Sequence, residues 1–83
     1  MRVGDVVLVN ISSGSEVLRP AFVVNVLSDS QISVRVLSDG SNDAAMMAAL
    51  GCPVGYPDWL ENISHTDSSS TVAYRTWVPV KGE

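Results

Sequence analysis

The chain has one histidine, His65, and one cysteine, Cys52, which are the residues that a nucleophilic mechanism would most readily use. A catalytic serine or cysteine needs a base within hydrogen-bonding reach. The serine beside His65 is its immediate neighbour, and adjacent side chains rarely face each other. Cys52 is distant from His65 in the sequence, and nothing in the pattern fixes a meeting between them. We therefore predict no catalytic residues and no enzyme activity, with His65 exposed and Cys52 a half-buried thiol.

Asp39, Ser41 and Asp43 have the spacing of the first, third and fifth oxygen ligands of a calcium-binding loop. The rest of the loop pattern fails, because the glycine falls at the second position and Leu50 stands where a bidentate glutamate is needed. We therefore predict no metal site. The same residues are better interpreted as a turn at Asp39 followed by a helix capped by Asn42 or Asp43.

The charge balance disfavours nucleic acid and phosphate ligands. Five Lys or Arg stand against nine Asp or Glu, which gives a formal net charge of −4, and such a field repels phosphate. No glycine-rich loop with a following lysine is present, so the sequence predicts no nucleotide hydrolase, and no cofactor is expected. A small anionic ligand would have to use arginines, and the candidates are Arg19, Arg35 and Arg75.

The connection before the last predicted strand holds two aromatic rings and a leucine between the stiffening prolines Pro53 and Pro57. Such rings either fold back over a barrel mouth or anchor a partner or a second copy of the chain. We predict that residues 52–63 form or border the main contact surface. Trp77, in the last strand, either faces outward or is covered by this connection. The predicted partner-binding residues are Tyr56, Trp59, Leu60 and Trp77.

The elements that position these residues are mainly strands. The chain contains fourteen Val, three Ile and three Thr, and β-branched side chains favour strands. The clearest period of two is in the third strand, where Ile32, Val34 and Val36 point one way and are predicted to lie in the core. Gly14 is expected to supply a positive φ in the first hairpin loop. The predicted strands cover residues 3–11, 19–27, 31–38 and 71–80.

One passage is predicted to be helical, residues 44–50, and to stop at Gly51. Two turns are too short to be stable alone, so this helix must dock its apolar residues on the sheet. Residues 52–70 form a connection far longer than the usual four to six residues, and long connections are usually functional or mobile. Residues 81–83 are expected to fray.

Long strands, two tight hairpins, one long excursion and a closing strand predict a small antiparallel sheet curled into a barrel. The fold class is thus mainly β, with one short helix in a long insertion between strands three and four. Residues 1–83 form a single domain, with the insertion at about 42–70. A chain of this length buries only about 60% of its unfolded surface, so a partner, a ligand or a second copy is expected to cover more.

The layout resembles a Src-homology-3-like barrel, and parts of the sequence resemble a widespread set of short bacteriophage proteins. The matching stretches are Gly4-Asp5-Val6-Val7, Arg19-Pro20-Ala21-Phe22-Val23-Val24, Val34-Arg35-Val36-Leu37-Ser38-Asp39-Gly40-Ser41-Asn42-Asp43 and Ala73-Tyr74-Arg75-Thr76-Trp77-Val78-Pro79. In that set a shorter linker joins the last two stretches, so residues 44–70 look like an insertion. The resemblance implies a viral origin and a barrel fold, and it brings no catalytic residues.

Three functions fit these observations. The first is a non-enzymatic viral accessory protein that binds and inhibits a bacterial host protein, such as a defence or metabolic component. The second is an oligomeric binder that sequesters a small anion or nucleotide signal, and the third is a structural part of a virion. No apolar run approaches the roughly 18 residues of a membrane span, and one cysteine cannot form an intramolecular disulfide. We therefore predict the host cytoplasm and no membrane partner.

Overall fold

In the computed structural model of the chain, residues 2–38, 40–52, 55–56, 58–66 and 71–80 are described. Five strands and one helix follow one another in the order β1 Val6–Asn10, β2 Leu18–Val26, β3 Gln31–Val36, α1 Gly40–Ala49, β4 Trp59–His65 and β5 Thr76–Pro79. This order confirms the prediction of a mainly β chain with one short helix between strands three and four. Within the residues described, no helix combines the length and the apolar character that a membrane span requires.

The five strands form a closed barrel in sequence order, with β5 returning to pair with β1. Every neighbouring pair is antiparallel except β4 and β5, which run in the same direction. This parallel seam contains two residue pairs, Ser64 with Thr76 and His65 with Trp77. The architecture is a small barrel that is consistent with a Src-homology-3-like fold.

The inward faces of the strands supply the core, as the period of two predicts. Ile32, Val34 and Val36 of β3 are at most 2% exposed, which confirms their predicted place. Each such burial is worth roughly 1.5–3 kcal/mol, so these faces dominate the stability of the barrel. The full cluster is Val7, Val9, Ile11, Ala21, Val23, Ile32, Val34, Val36, Met47, Leu50, Leu60, Ile63 and Trp77.

Helix α1 begins earlier than predicted but ends where the sequence indicates. Met47 and the following Leu50 pack into the core, which gives this short helix the docking it needs. Gly51 has φ of 83° and its N–H donates to the carbonyl of Ala48, so the helix ends in a left-handed glycine. The prediction that Asn42 or Asp43 caps the helix is wrong, because the helix begins at Gly40 and both positions lie inside it, with Asp43 fully buried.

Strand β4 lies within residues 52–70, which the sequence pattern predicts to be one long connection, so that prediction is wrong. Its burial does not alternate, because the register with β3 shifts between Ile32 and Val34. Asn62, on the bulged side, has φ of 58°. A bulge places an extra residue on one strand and breaks the period of two, which is why the strand is invisible in the sequence pattern.

Two further local predictions need correction. The last strand begins at Thr76 instead of residue 71, because Arg75 with φ of 59° kinks the chain just before it. Gly14 is absent from the described residues with positive φ. Its loop is instead held by side-chain bonds, since the Gly14 N–H donates to Ser12 Oγ at 3.3 Å and the Ser12 N–H donates to Asn10 Oδ1 at 2.9 Å.

Some sequence predictions concern residues outside the described ranges, and they stay predictions. They are the turn at Asp39, the stiffening role of Pro53 and Pro57 and the fraying of residues 81–83.

Candidate interaction surface

One row of side chains crosses the outside of four neighbouring strands. Val6 pairs with Phe22, Phe22 pairs with Arg35, and Arg35 pairs with Trp59. Directly opposite residues project from the same side of a sheet, and the buried neighbours of Phe22 in β2 place this row on the outside. Val6 is 41% exposed, Phe22 is 44% exposed and the Arg35 side chain is 53% exposed, so the row faces solvent.

A second outward row lies beside the first and is wholly apolar. Leu8 pairs with Pro20 on one side and with Val78 on the other, and the Leu37 N–H donates to the Pro20 carbonyl at 2.8 Å. Leu37 is 48% exposed, while Leu8 and Val78 are half-buried. The two rows together are called the outer face, which consists of Val6, Phe22, Arg35, Trp59, Val78, Leu8, Pro20 and Leu37.

Two aromatic rings form one edge of the outer face. Tyr56 and Trp59 pack edge to face with their ring centroids 5.3 Å apart. Tyr56 is 52% exposed and Trp59 is half-buried. The indole Nε1 of Trp59 is buried and has no hydrogen-bond partner among the described residues. Both rings therefore lie where the sequence predicts a contact surface, although Trp59 stands on a strand and not on a loop.

The charge on the outer face is balanced locally. Arg35 Nη2 donates to both oxygens of Asp58, at 3.0 and 3.3 Å. The guanidinium lies between Phe22 and Trp59 in the register of the row. An exposed ion pair of this kind contributes little to stability, typically about 0–1 kcal/mol, so its position is more informative than its strength.

Leu60 and Trp77 do not belong to the surface, in contrast to the sequence prediction. Leu60 is 1% exposed and Trp77 is 3% exposed. They pair with Val34 and Val9 respectively, whose side chains point into the core, so they point inward as well. Trp77 Nε1 donates to the Ser30 carbonyl at 3.0 Å, which satisfies its polar edge. Both residues are core residues and are unavailable to a partner.

The three arginines predicted for anion binding each have partners within the chain. Arg19 forms an ion pair with Asp43 at 2.7 Å. Arg75 donates to two backbone carbonyls, from Nε to Leu50 at 3.4 Å and from Nη2 to Glu61 at 3.2 Å. These contacts tie Arg19 and Arg75 to the fold, whereas Arg35 is paired with Asp58 at the surface. The described contacts do not bring the three arginines onto one common partner.

Cys52 and His65 are engaged separately. The Cys52 thiol donates to the Met47 carbonyl at 3.2 Å. Burial, and then the neighbouring carboxylate of Asp58, raise the pKa of the Cys52 thiol, which disfavours the nucleophilic thiolate. His65 Nδ1 lies 2.8 Å from the Thr66 carbonyl, and its ring packs edge to face on Trp77. Among the described residues, no group of three His, Cys, Asp or Glu side chains is arranged to hold a metal.

An open cleft of about 300 Å³ lies at the end of the first hairpin, and sequence reasoning missed it. Asn10 organises it, because this side chain is 3% exposed and bonds both walls. Its Nδ2 donates to the Val72 carbonyl at 2.8 Å, and its Oδ1 accepts from the Ser12 N–H at 2.9 Å. The described lining includes Glu16 but no Lys, Arg or His, so this cleft does not suit an anion.

Comparison of the chain with protein-family models, with curated proteins and with solved structures returns no match.

Proposed function

We propose that this chain is a non-enzymatic viral accessory protein that binds and inhibits a bacterial host protein through the outer face. The observation that carries the proposal is the continuity of the two outward rows across the strands, from Val6 to Trp59 and from Val78 to Leu37. The viral origin and the bacterial host come from the resemblance of the sequence to short bacteriophage proteins.

The composition of the outer face supports a binding role. A sheet with one face on the core normally presents polar side chains to water on the other face. Here seven of the eight outer-face residues are apolar, and Phe22 and Leu37 are each more than two-fifths exposed. Contiguous apolar surface of this kind, bordered by polar residues, is typical of protein contact sites. Aromatic anchors such as Phe22 and Trp59 usually supply most of the binding energy.

The net charge adds a second, weaker argument. A chain with a formal charge of −4 attracts basic surfaces and repels acidic ones over distances near the Debye length. A basic host protein, such as an enzyme that handles nucleic acid, would be steered toward this chain and could be blocked by it.

The alternative is an oligomeric binder of a small anion, and Arg35 is the best-placed residue for it. This guanidinium is exposed and has an aromatic residue on each side in the register. Asp58 is already bonded to it, however, and a carboxylate within 4 Å repels an incoming anion. We therefore prefer the protein-binding function.

The test begins with affinity capture from bacterial lysate and continues with the purified captured protein. Phe22→Thr removes an anchor from the outer face and keeps a side chain that favours a strand. Leu27→Thr is the matched control, because Leu27 is 47% exposed and lies just after β2, outside the outer face. We expect Phe22→Thr to weaken binding by about 30-fold, or about 2 kcal/mol, by calorimetry.

The control variant should bind within about twofold of the unaltered chain, since isolated exposed apolar residues contribute little. Equal affinity of the Phe22→Thr and unaltered chains would contradict the proposal, as would a captured protein whose activity is unchanged when it is bound.

A further inference from the structure

We infer that, when no host protein is bound, a second copy of this chain covers the outer face in a two-fold arrangement that places Arg35 of each protomer against the partner's Asp58. The inference rests on the proposed function, because it takes the outer face as the binding surface. It adds a specific occupant and a consequence, since the host protein must then compete with self-association.

The distribution of charge favours self-association through the outer face. Arg35 is the charged residue of the outer face, and Asp58 beside it neutralises that charge. The whole formal charge of −4 therefore lies elsewhere on the chain. Two copies repel each other wherever that excess lies, and like charges brought together across an interface cost several kcal/mol. The outer face is locally neutral, so two such chains can approach there without this repulsion.

The ion pair between Arg35 and Asp58 is complementary to a second copy of itself. A two-fold axis brings the same patch of each protomer together, so residue i contacts residue j and j contacts i. Arg35 binds Asp58 through Nη2 alone. A guanidinium has five N–H donors, so Nε and Nη1 of Arg35 can donate to the partner's Asp58 without breaking the pair within the chain.

The apolar residues beside Arg35 supply the rest of the contact. Phe22 and Trp59 are its neighbours on β2 and β4, and in the two-fold arrangement they pack against the apolar residues of the partner. Tyr56 extends the same edge by its contact with Trp59. Aromatic residues and arginine are enriched at the centre of protein interfaces.

The area of the face limits how strong the dimer can be. A standard interface buries about 800 Å² on each partner, which is about a sixth of the 4959 Å² of accessible surface here. Two rows about 7 Å apart, on strands about 4.8 Å apart, offer less than this. We therefore expect a weak dimer with a dissociation constant of about 10–100 µM, which a better-fitting host protein displaces.

Sedimentation velocity at about 1 µM to about 1 mM tests the inference on either side of the expected dissociation constant. The unaltered chain should pass from monomer to dimer over this range. Arg35→Glu places a second carboxylate against the partner's Asp58, and Asp58→Arg places two guanidinium groups together. Each variant alone should therefore remain monomeric, because like charges meet twice across the two-fold axis.

An equimolar mixture of the two variants provides the decisive measurement. In the mixed dimer, opposite charges face each other at both contacts, so we expect association to return. The pair within each chain stays broken on mixing, so the rescue can come only from contacts between protomers. Both substitutions lie at exposed or half-buried positions, and circular dichroism should show native spectra for each.

Phe22→Thr and its control Leu27→Thr give an independent readout. The first should raise the dimer dissociation constant by at least tenfold, and the second should leave it within about twofold. The inference is overturned if the unaltered chain stays monomeric at about 1 mM, or if the mixture of charge variants stays monomeric.

The result also separates this inference from the proposed function. A monomeric chain whose binding to the host protein depends on Phe22 overturns self-association only. A rescued mixed dimer, together with host binding that is insensitive to Phe22→Thr, supports self-association and overturns the proposed function.

Discussion

The guanidinium of Arg19 in β2 binds both carboxylate oxygens of Asp43 in α1, with Nε 2.7 Å from Oδ2 and Nη2 3.2 Å from Oδ1. Asp43 is fully buried, whereas the Arg19 side chain is 28% exposed. A bidentate pair is geometrically specific, so this contact fixes the helix against the barrel. It explains both why Asp43 does not cap the helix and why Arg19 serves the fold.

We expect Asp43→Ala to lower the free energy of unfolding by about 2–3 kcal/mol, because it leaves the Arg19 charge without its carboxylate. The figure is below the usual range for buried pairs because Arg19 keeps some contact with water. Urea denaturation measures the change. Asp29→Ala, at an exposed turn position, is the control and should change stability by less than about 0.5 kcal/mol. Equal stability of the two variants would show that the pair does not hold the helix.

Val34→Asp should unfold the chain. Val34 is 0% exposed and lies between Val23 of β2 and Leu60 of β4, so a carboxylate there would be buried without a partner. Far-ultraviolet circular dichroism and sedimentation report the loss of structure. Asn25→Asp, on an exposed position of β2, should stay folded. Recovery of a folded, soluble Val34→Asp chain would mean that the core register is different.

Trp59→Ala should leave the chain folded and weaken binding to a host protein or to a second copy by about 2 kcal/mol, or about 30-fold. The indole ring is half-buried on the outer face, and its removal takes away the surface that packs on Tyr56. Titration calorimetry measures the affinity, with circular dichroism as the check on folding. Tyr74→Ala, at a 39% exposed position outside the outer face, is the control. If the Trp59→Ala chain is unfolded, the ring belongs to the core. If the variant is folded and its affinity is unchanged, the interface lies elsewhere on the chain.

Cys52 should react with iodoacetamide more slowly than a free cysteine at neutral pH, with the rise in rate displaced to higher pH. Burial and then Asp58 raise the pKa of this thiol, so less thiolate is present. Asp58→Asn should move the profile back toward lower pH, while Asp29→Asn should not. If the pH profile of Asp58→Asn is unchanged, the Asp58 carboxylate does not raise the pKa of the Cys52 thiol.

The same shift makes stability depend on pH in a defined direction. The native state holds the Cys52 proton more tightly than the unfolded chain does, because the native pKa is the higher one. Its contribution to stability is fully present below the unfolded pKa of the thiol and is lost as the pH rises through the native pKa.

The fold was predictable where one strand face is buried and the backbone is regular. In β3, the alternation of Ile32, Val34 and Val36 reports the core directly. In β4, the bulge at Asn62 destroys that alternation, so the sequence there has no strand signal. The helix end at Gly51 was predictable from local chemistry, whereas the role of Asp43 was not, because this side chain binds a distant arginine.

The candidate site was predictable only in part, for a related reason. Tyr56 and Trp59 are aromatic residues in a passage that has no helix or strand periodicity. Their residue type and position in the sequence therefore indicate a surface role without any knowledge of the fold. The involvement of Phe22 depends on its register with Val6 and Arg35, and a register between distant strands cannot be read from single-strand periodicity. For the same reason Leu60 and Trp77 were wrongly predicted to lie on the surface. Their side chains point inward because of their pairing with β3 and β1.

The strands of the barrel are not joined equally, because the parallel seam between β4 and β5 has fewer residue pairs than the antiparallel boundary between β2 and β3. Two residue pairs join β4 to β5, supplemented by the Thr66 N–H on the Trp77 carbonyl at 3.0 Å, whereas five pairs join β2 to β3. Local opening follows the least bonded boundary, so amide protons at the seam should exchange with deuterium long before those of β2 and β3. The barrel can therefore open locally by separation of β4 from β5. We expect water to reach the buried side chain of Trp77, which lies at this seam, before it reaches the rest of the core.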